Sequence, residues 1–218
     1  MKRLIVYDLD GTLVDTLQDI TASANHMLGA LGRPPVGPEA VRLYVGRGVR
    51  ELIRQCLGRA GEEEIDRALA VYREHYAHHM LDTSWLYPGA FELLEHFDRL
   101  GRTQAVITNK PNPYSTQILT ALGVSDRFFQ IIGGDDGFPK KPDPASLLAL
   151  MAEAGASPDE TVFIGDSPVD VETGRRAGVF TTAITHGLAT SEGMAAARPD
   201  ATAADFAQLA ELARARGW

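Results

Sequence analysis

Cysteine is all but missing from this chain. Cys56 stands alone among 218 residues, so no intramolecular disulfide can form, and a reducing compartment is the expected setting. Positive charge is in deficit: 21 Lys and Arg face 29 Asp and Glu, for a net charge of -8, which argues against a nucleic-acid-binding face. Lysine is scarcer still, at four residues against seventeen arginines. No apolar run approaches the roughly 18 residues of a membrane span, and the run at residues 4–7 is too short for a signal-peptide core. The chain is therefore expected to be cytoplasmic, with no membrane partner. Internal repeats and low-complexity tracts are absent too. What is present is ordinary for a soluble globular protein, at 44% hydrophobic and 23% charged residues. The length suits one large domain or a domain carrying an insertion, and it leaves monomer or homodimer open.

Short apolar runs bounded by turn signals recur at residues 4–7, 104–107, 129–132, 161–164 and 179–184. They do not alternate with polar residues, so both faces of each should be buried, as in a parallel sheet. Helical patterns lie between them. Residues 89–100 end at Gly101, 112–122 at Gly123 and 144–154 at Gly155, and each glycine suits the left-handed position that closes a helix. Strand, helix, strand repeated in this way predicts an α/β fold with a doubly wound parallel sheet, a Rossmann-like core. About 95 residues separate the first strand from the second, far more than a crossover helix needs. Within that gap residues 16–31, 38–44, 47–59 and 61–80 read as helices, with GRPPVGP at 32–38 as a loop. Residues 15–82 are predicted to form an inserted small helical cap domain above the sheet's carboxyl edge, leaving 1–14 and 83–218 as the core.

The first strand runs straight into YDLDGTLVDT. In a strand, residues i and i+2 point to the same side, so Asp8 and Asp10 can face one site. Two like charges this close repel unless a cation or a shared proton compensates them. A hard, oxygen-seeking cation such as Mg2+ suits the pair and would want a further carboxylate. The strand at 161–164 supplies one: it runs into GDSPVD, with Asp166 at its end and Asp170 one helical turn on. Open α/β sheets bind ligands outside the carboxyl ends of their strands, where both clusters fall. Two further strand ends carry groups that suit a phosphate. Thr108 and Asn109 offer a hydroxyl and an amide, and Lys140 and Lys141 place two of the four lysines side by side before Pro142.

Taken in order, DLDGT, Thr-Asn, Lys-Pro and GDSxxD resemble the haloacid dehalogenase superfamily of aspartate-nucleophile phosphotransferases, over essentially the whole chain. Within it, DLDGTLVDT, VGRG, LYPG, ITNKP, GGDD…KKPDP and GDSPVDVETGRRAG are together most similar to the phosphoglycolate phosphatases. The resemblance implies a small phosphorylated metabolite as partner and Asp8 as the nucleophile that becomes an aspartyl-phosphate. Asp10 would protonate the leaving alkoxide and then deprotonate the attacking water. Mg2+ would be held by Asp8, Asp166 and the backbone carbonyl of Asp10. Thr108, Asn109 and Lys141 would hold the transferring oxygens, Lys141 being the lysine that matches the family position. Gly11 would let the backbone approach the phosphate, with Thr12 beside it, and Asp170 would orient the lysine or a metal-bound water. Apart from the resemblance, from whose pattern it departs, Arg47 stands between two glycines where a cap helix is expected to begin, and there it would pair with a small carboxylate such as that of 2-phosphoglycolate.

Other signals are expected to be structural. His75, His78 and His79 read as a solvated face of a cap helix, because no Cys or acidic partner completes a zinc set. Arg175 and Arg176 suit the last turn of a helix. Cys56 falls in an apolar helical pattern. His186-Gly187, by contrast, follows the last strand and is expected to border the site, and Asp135 and Asp136, which could also approach it, receive no role. Among rival activities, the superfamily's dehalogenases lack an acid/base aspartate at the position of Asp10. Its phosphonate-cleaving members need a cap lysine, and residues 15–82 contain none. A pyrophosphatase or a phosphosugar phosphatase or mutase would share the core motifs. A phospho-accepting receiver would be nearer about 120 residues without a cap, well short of this chain.

Overall fold

Both faces of the central sheet are covered, as unalternating apolar strands require. The computed structural model describes residues 1–218, the side chain of Ser191 excepted. Its strands are β1 (Leu4–Tyr7), β2 (Val14–Asp15), β3 (Trp85–Leu86), β4 (Thr103–Ile107), β5 (Gln130–Ile132), β6 (Thr161–Gly165), β7 (Phe180–Ile184) and β8 (Ala201–Ala203). Six of them form one parallel sheet in the order β5-β4-β1-β6-β7-β8, and β2 pairs with β3 in a separate antiparallel ribbon. Along β1, Ile5 and Tyr7 belong to one apolar cluster and Leu4 and Val6 to another. That alternation is the period-2 pleat with both faces buried.

The helices are α1 (Leu17–Ala30), α2 (Pro38–Tyr44), α3 (Val49–Leu57), α4 (Glu62–His79), α5 (Ala90–Arg99), α6 (Asn112–Ala121), α7 (Ala145–Glu153), α8 (Pro168–Ala177), α9 (Ser191–Ala197) and α10 (Phe206–Ala215). α5, α6 and α10 supply Phe97, Leu119 and Leu209 to the first cluster, while α7 supplies Leu147 and Leu150 to the second. The sheet is therefore doubly wound. Gly101, Gly123 and Gly155 follow their helices with φ of 66, 73 and 60°, as expected. The chain switches direction across the sheet between β1 and β6, which are hydrogen-bonded neighbours. Ligands of open α/β sheets bind at such a point.

The four helices α1–α4 occupy the gap between β2 and β3, so the two-stranded ribbon brackets them. α1 and α4 pack most extensively, burying Ile20, Ala24, Met27, Leu69, Tyr72 and Tyr76 in one cluster with Leu9, Leu13 and Val14 of the first loop. A buried carboxylate ties the base of this unit. Asp19, in the first turn of α1, accepts from Thr83 N at 3.0 Å and Oγ1 at 2.6 Å and from Ser84 N at 2.9 Å and Oγ at 2.7 Å. The outgoing and returning chains are thereby stapled together. None of the helices is long and apolar enough to cross a membrane.

Candidate active site

β1 delivers Asp8 to the sheet's carboxyl edge and β6 delivers Asp166 next to it. Asp8 is 5% exposed, Asp166 2% and Asp170 2%, and one oxygen from each lies within 4.8 Å of the others. Ser167 and Asp170 start α8 as a reciprocal cap: Asp170 Oδ2 accepts from Ser167 N at 3.0 Å and from its Oγ at 2.5 Å. The other oxygen, Oδ1, accepts from Lys141 Nζ at 2.6 Å, and the same ammonium lies 2.9 Å from Asp8 Oδ1. The cap fixes the carboxylate, the carboxylate fixes the lysine, and the lysine is held against Asp8. Burial alone would lower the Lys141 pKa, but Asp170 and Asp8 outweigh it and keep the ammonium charged. Burial pushes Asp8 up to about 7, with Lys141 opposing and Asp170 reinforcing the rise.

Asp166 has no cation of its own among the described residues. Thr12 Oγ1 donates to its Oδ1 at 2.9 Å and Leu188 N to its Oδ2 at 2.6 Å, yet burial, Asp170 and Asp8 raise its carboxyl well above the usual range. Three buried carboxylates thus lie together with one lysine, which bonds only Asp8 and Asp170. Surplus negative charge on hard oxygens at the end of two strands fits a divalent cation such as Mg2+. Gly11 is required by the same crowding: its φ is 81°, and any side chain there would collide with the Asp166 carboxylate and Leu188.

Asp10 stands beside this cluster. Thr16 Oγ1 donates to its Oδ1 at 2.7 Å, and Lys110 Nζ donates to the same oxygen at 2.8 Å. Lys110 was not among the residues expected at the site, although it follows Asn109 directly in ITNKP. Thr108 is buried at the end of β4 and accepts from Lys110 N at 3.2 Å. Asn109 is also buried, but its amide is spent on the protein. Oδ1 accepts from Lys141 N at 2.9 Å, while Nδ2 donates to Lys141 O at 3.0 Å and to Gly46 O at 2.8 Å. In this state Asn109 braces the lysine loop and reaches the α2–α3 connection.

The other expected residues fall as follows. Arg47 is exposed and precedes α3 by two residues, with Gly48 as its N-cap, so it lies outside the helix expected from residue 47. It lines a cavity of about 200 Å³ together with Asp8, Asp10, Arg42 and Asp166. Arg42 of α2 donates to Leu188 O at 2.7 Å and Gly187 O at 2.9 Å, closing the helical unit onto the loop that binds Asp166. Lys140 is exposed, with its side chain against Gly48. His186 stacks on Tyr87 at 3.9 Å and donates to Thr12 O at 3.2 Å, supporting the first loop. Asp135 and Asp136 bond to Asn112 at the start of α6. Arg175 and Arg176 both pair with Glu172 in α8. Cys56 is half-buried against the core, and burial pushes its thiol up to about 11. Of the three α4 histidines expected on a solvated face, His78 is exposed, while His75 is half-buried and stacked at 4.1 Å on both His26 and His79.

A family model for haloacid dehalogenase-like hydrolases matches residues 5–184. Phosphoglycolate phosphatase 1 of Pseudomonas aeruginosa is 42% identical over 193 residues, covering 86% of this chain and 71% of that protein. A phosphoglycolate phosphatase of Yersinia pestis is 36% identical over 211 residues, covering 95% and 91%. A crystal structure described as a predicted phosphoglycolate phosphatase from Haemophilus somnus superposes with a TM-score of 0.92 at 30% identity, covering 97% of each chain. The chain belongs to the haloacid dehalogenase-like hydrolase family and, within it, is phosphoglycolate phosphatase-like.

Proposed function

We propose that the protein is a Mg2+-dependent phosphatase that hydrolyses 2-phosphoglycolate through an aspartyl-phosphate on Asp8. The observation that carries this is the buried Asp8–Lys141–Asp170 array beside Asp166 and Asp10 at the switch point of the sheet. The names of the relatives point to the substrate. Asp8, Asp166 and the backbone carbonyl of Asp10 would hold the metal, which when bound supplies positive charge against the repulsion between carboxylate and phosphate dianion.

The chain's own residues then divide the work. Lys141, kept charged by two carboxylates, holds Asp8 in place and offers positive charge to the transferring oxygens, with the Thr108 hydroxyl beside it. The Asp8 carboxylate attacks phosphorus and the bond to the leaving oxygen breaks. Asp10, positioned by Thr16 and Lys110, gives that oxygen a proton and later takes one from the water that hydrolyses the aspartyl-phosphate. Residues 15–82 act as a cap over this chemistry, held to the core by Arg42 and by Asn109, and exclude bulk water. A panel of 2-phosphoglycolate, pyrophosphate, hexose phosphates and an aryl phosphate, each with Mg2+, tests the assignment. The highest kcat/KM is expected for 2-phosphoglycolate; a higher value for pyrophosphate or a hexose phosphate would reassign the substrate.

A further inference from the structure

We propose that Lys110 and Tyr76 form the receptor for a carboxylate on the leaving group, so that Lys110 selects the substrate as well as positioning Asp10. This rests on reading the chain as a phosphatase of small phosphorylated acids. Lys110 is buried, with 6% side-chain exposure, and lies over the ring of Tyr76 at 4.8 Å from its centroid. An ammonium has three N–H donors, and only the bond to Asp10 Oδ1 is made within the protein. A buried cation with donors to spare is expensive unless an acceptor arrives.

A second, independent observation lies next to it. The Tyr76 hydroxyl is buried, in a residue 2% exposed, and has no hydrogen-bond partner. Buried polar groups are nearly always paired, so an exception beside a catalytic group asks for a ligand. Both residues line a cavity of about 50 Å³ that reaches Asp8 and Asp10 and is walled by Val45, Leu52 and Tyr72. That volume admits about four or five atoms the size of oxygen, the size of a two-carbon hydroxy acid. Lys110 brings the cavity its ammonium and Tyr76 a hydroxyl without a partner, a pairing that matches a single carboxylate. Arg47, by contrast, is exposed, in the other cavity, where water screens its charge.

The test compares 2-phosphoglycolate with 2-hydroxyethyl phosphate, which keeps the shape but replaces the carboxylate by a neutral carbinol. Wild type, Lys110→Met, Tyr76→Phe and Arg47→Ala are assayed on both, with circular dichroism to establish that each is folded. Lys110→Met should lower the ratio of the two kcat/KM values by roughly 10- to 100-fold, and Tyr76→Phe should lower it by several-fold. Lys110→Arg should recover part of the loss. A wild-type preference that survives in Lys110→Met would overturn the receptor while leaving the substrate assignment standing, as would a ratio that collapses only in Arg47→Ala. A wild type with no preference between the two esters would overturn the substrate assignment and the receptor with it.

Discussion

Replacing Asp166 by asparagine should stabilise the metal-free protein while removing its response to Mg2+. The carboxylate lies within 4.8 Å of oxygens on Asp8 and Asp170, and at an effective dielectric constant of about 20 each pair, when both groups are ionised, repels by about 3.5 kcal/mol or more. Lys141 offsets much of this, but it bonds Asp8 and Asp170 and makes no bond to Asp166. Asparagine keeps the shape, still accepts from Leu188 N, and lets the Thr12 hydroxyl turn to accept from the new amide. The net gain should be about 1–3 kcal/mol, or about 2–12 °C in Tm for a chain of this size. The assay is thermal unfolding in EDTA and in Mg2+, near pH 8. A lower Tm than wild type in EDTA, or equal Mg2+ shifts in both proteins, would refute the electrostatic argument. The pH dependence carries the same logic. The folded-state pKa of Asp8 is raised from 3.8 to about 7, and that of Asp166 is raised as well. A raised carboxyl pKa stabilises the fold while the group is protonated, so this contribution is complete below about pH 4 and lost as pH rises through about 7. Metal-free wild type should lose stability across that window, and stabilisation by Mg2+ should grow across it as protons cease to compete.

Asp19→Ala should lower stability by about 3 kcal/mol, because it strands the Thr83 and Ser84 donors that the carboxylate satisfies; denaturant unfolding reads the loss, and a change under about 1 kcal/mol would mean that the staple is dispensable. Arg42→Ala should raise both KM and the Mg2+ concentration needed for half activity by several-fold, because it frees the loop whose Leu188 N–H holds Asp166. An unchanged Mg2+ titration would show that this loop is set by the core alone.

The site was legible where chemistry sits at a strand end. Asp8, Thr108 and Asp166 each end an apolar run, and parallel pairing then brings β1, β4 and β6 side by side without further information. Local signals served the helices equally well, since the Gly-terminated patterns and the loop at residues 32–38 match α1, α2, α5, α6 and α7 closely. What escaped depends on contacts between distant residues. Lys110 acquires its role from Asp10, a hundred positions earlier, and Tyr76 reads as an ordinary apolar position of α4. Asp19 meets Thr83 across the whole four-helix unit. β8, with the composition Ala-Thr-Ala, has no apolar run to announce it and is recruited by its ladder with β7. The bend at Gly48, with φ of 90°, delays α3 by two residues and leaves Arg47 outside it. His26 comes to lie on His75 only because α1 packs against α4.

Whether Asp8 attacks phosphorus is read from where the phosphoryl group goes. Enzyme turning over 2-phosphoglycolate with Mg2+ is quenched with acid and reduced with borohydride, which converts an aspartyl-phosphate to homoserine, and the peptides are sequenced by mass spectrometry. Homoserine is expected at position 8 and nowhere else, with no conversion and a loss of turnover by several orders of magnitude in Asp8→Asn. Homoserine at another aspartate, or near-normal turnover in Asp8→Asn, would contradict attack by Asp8.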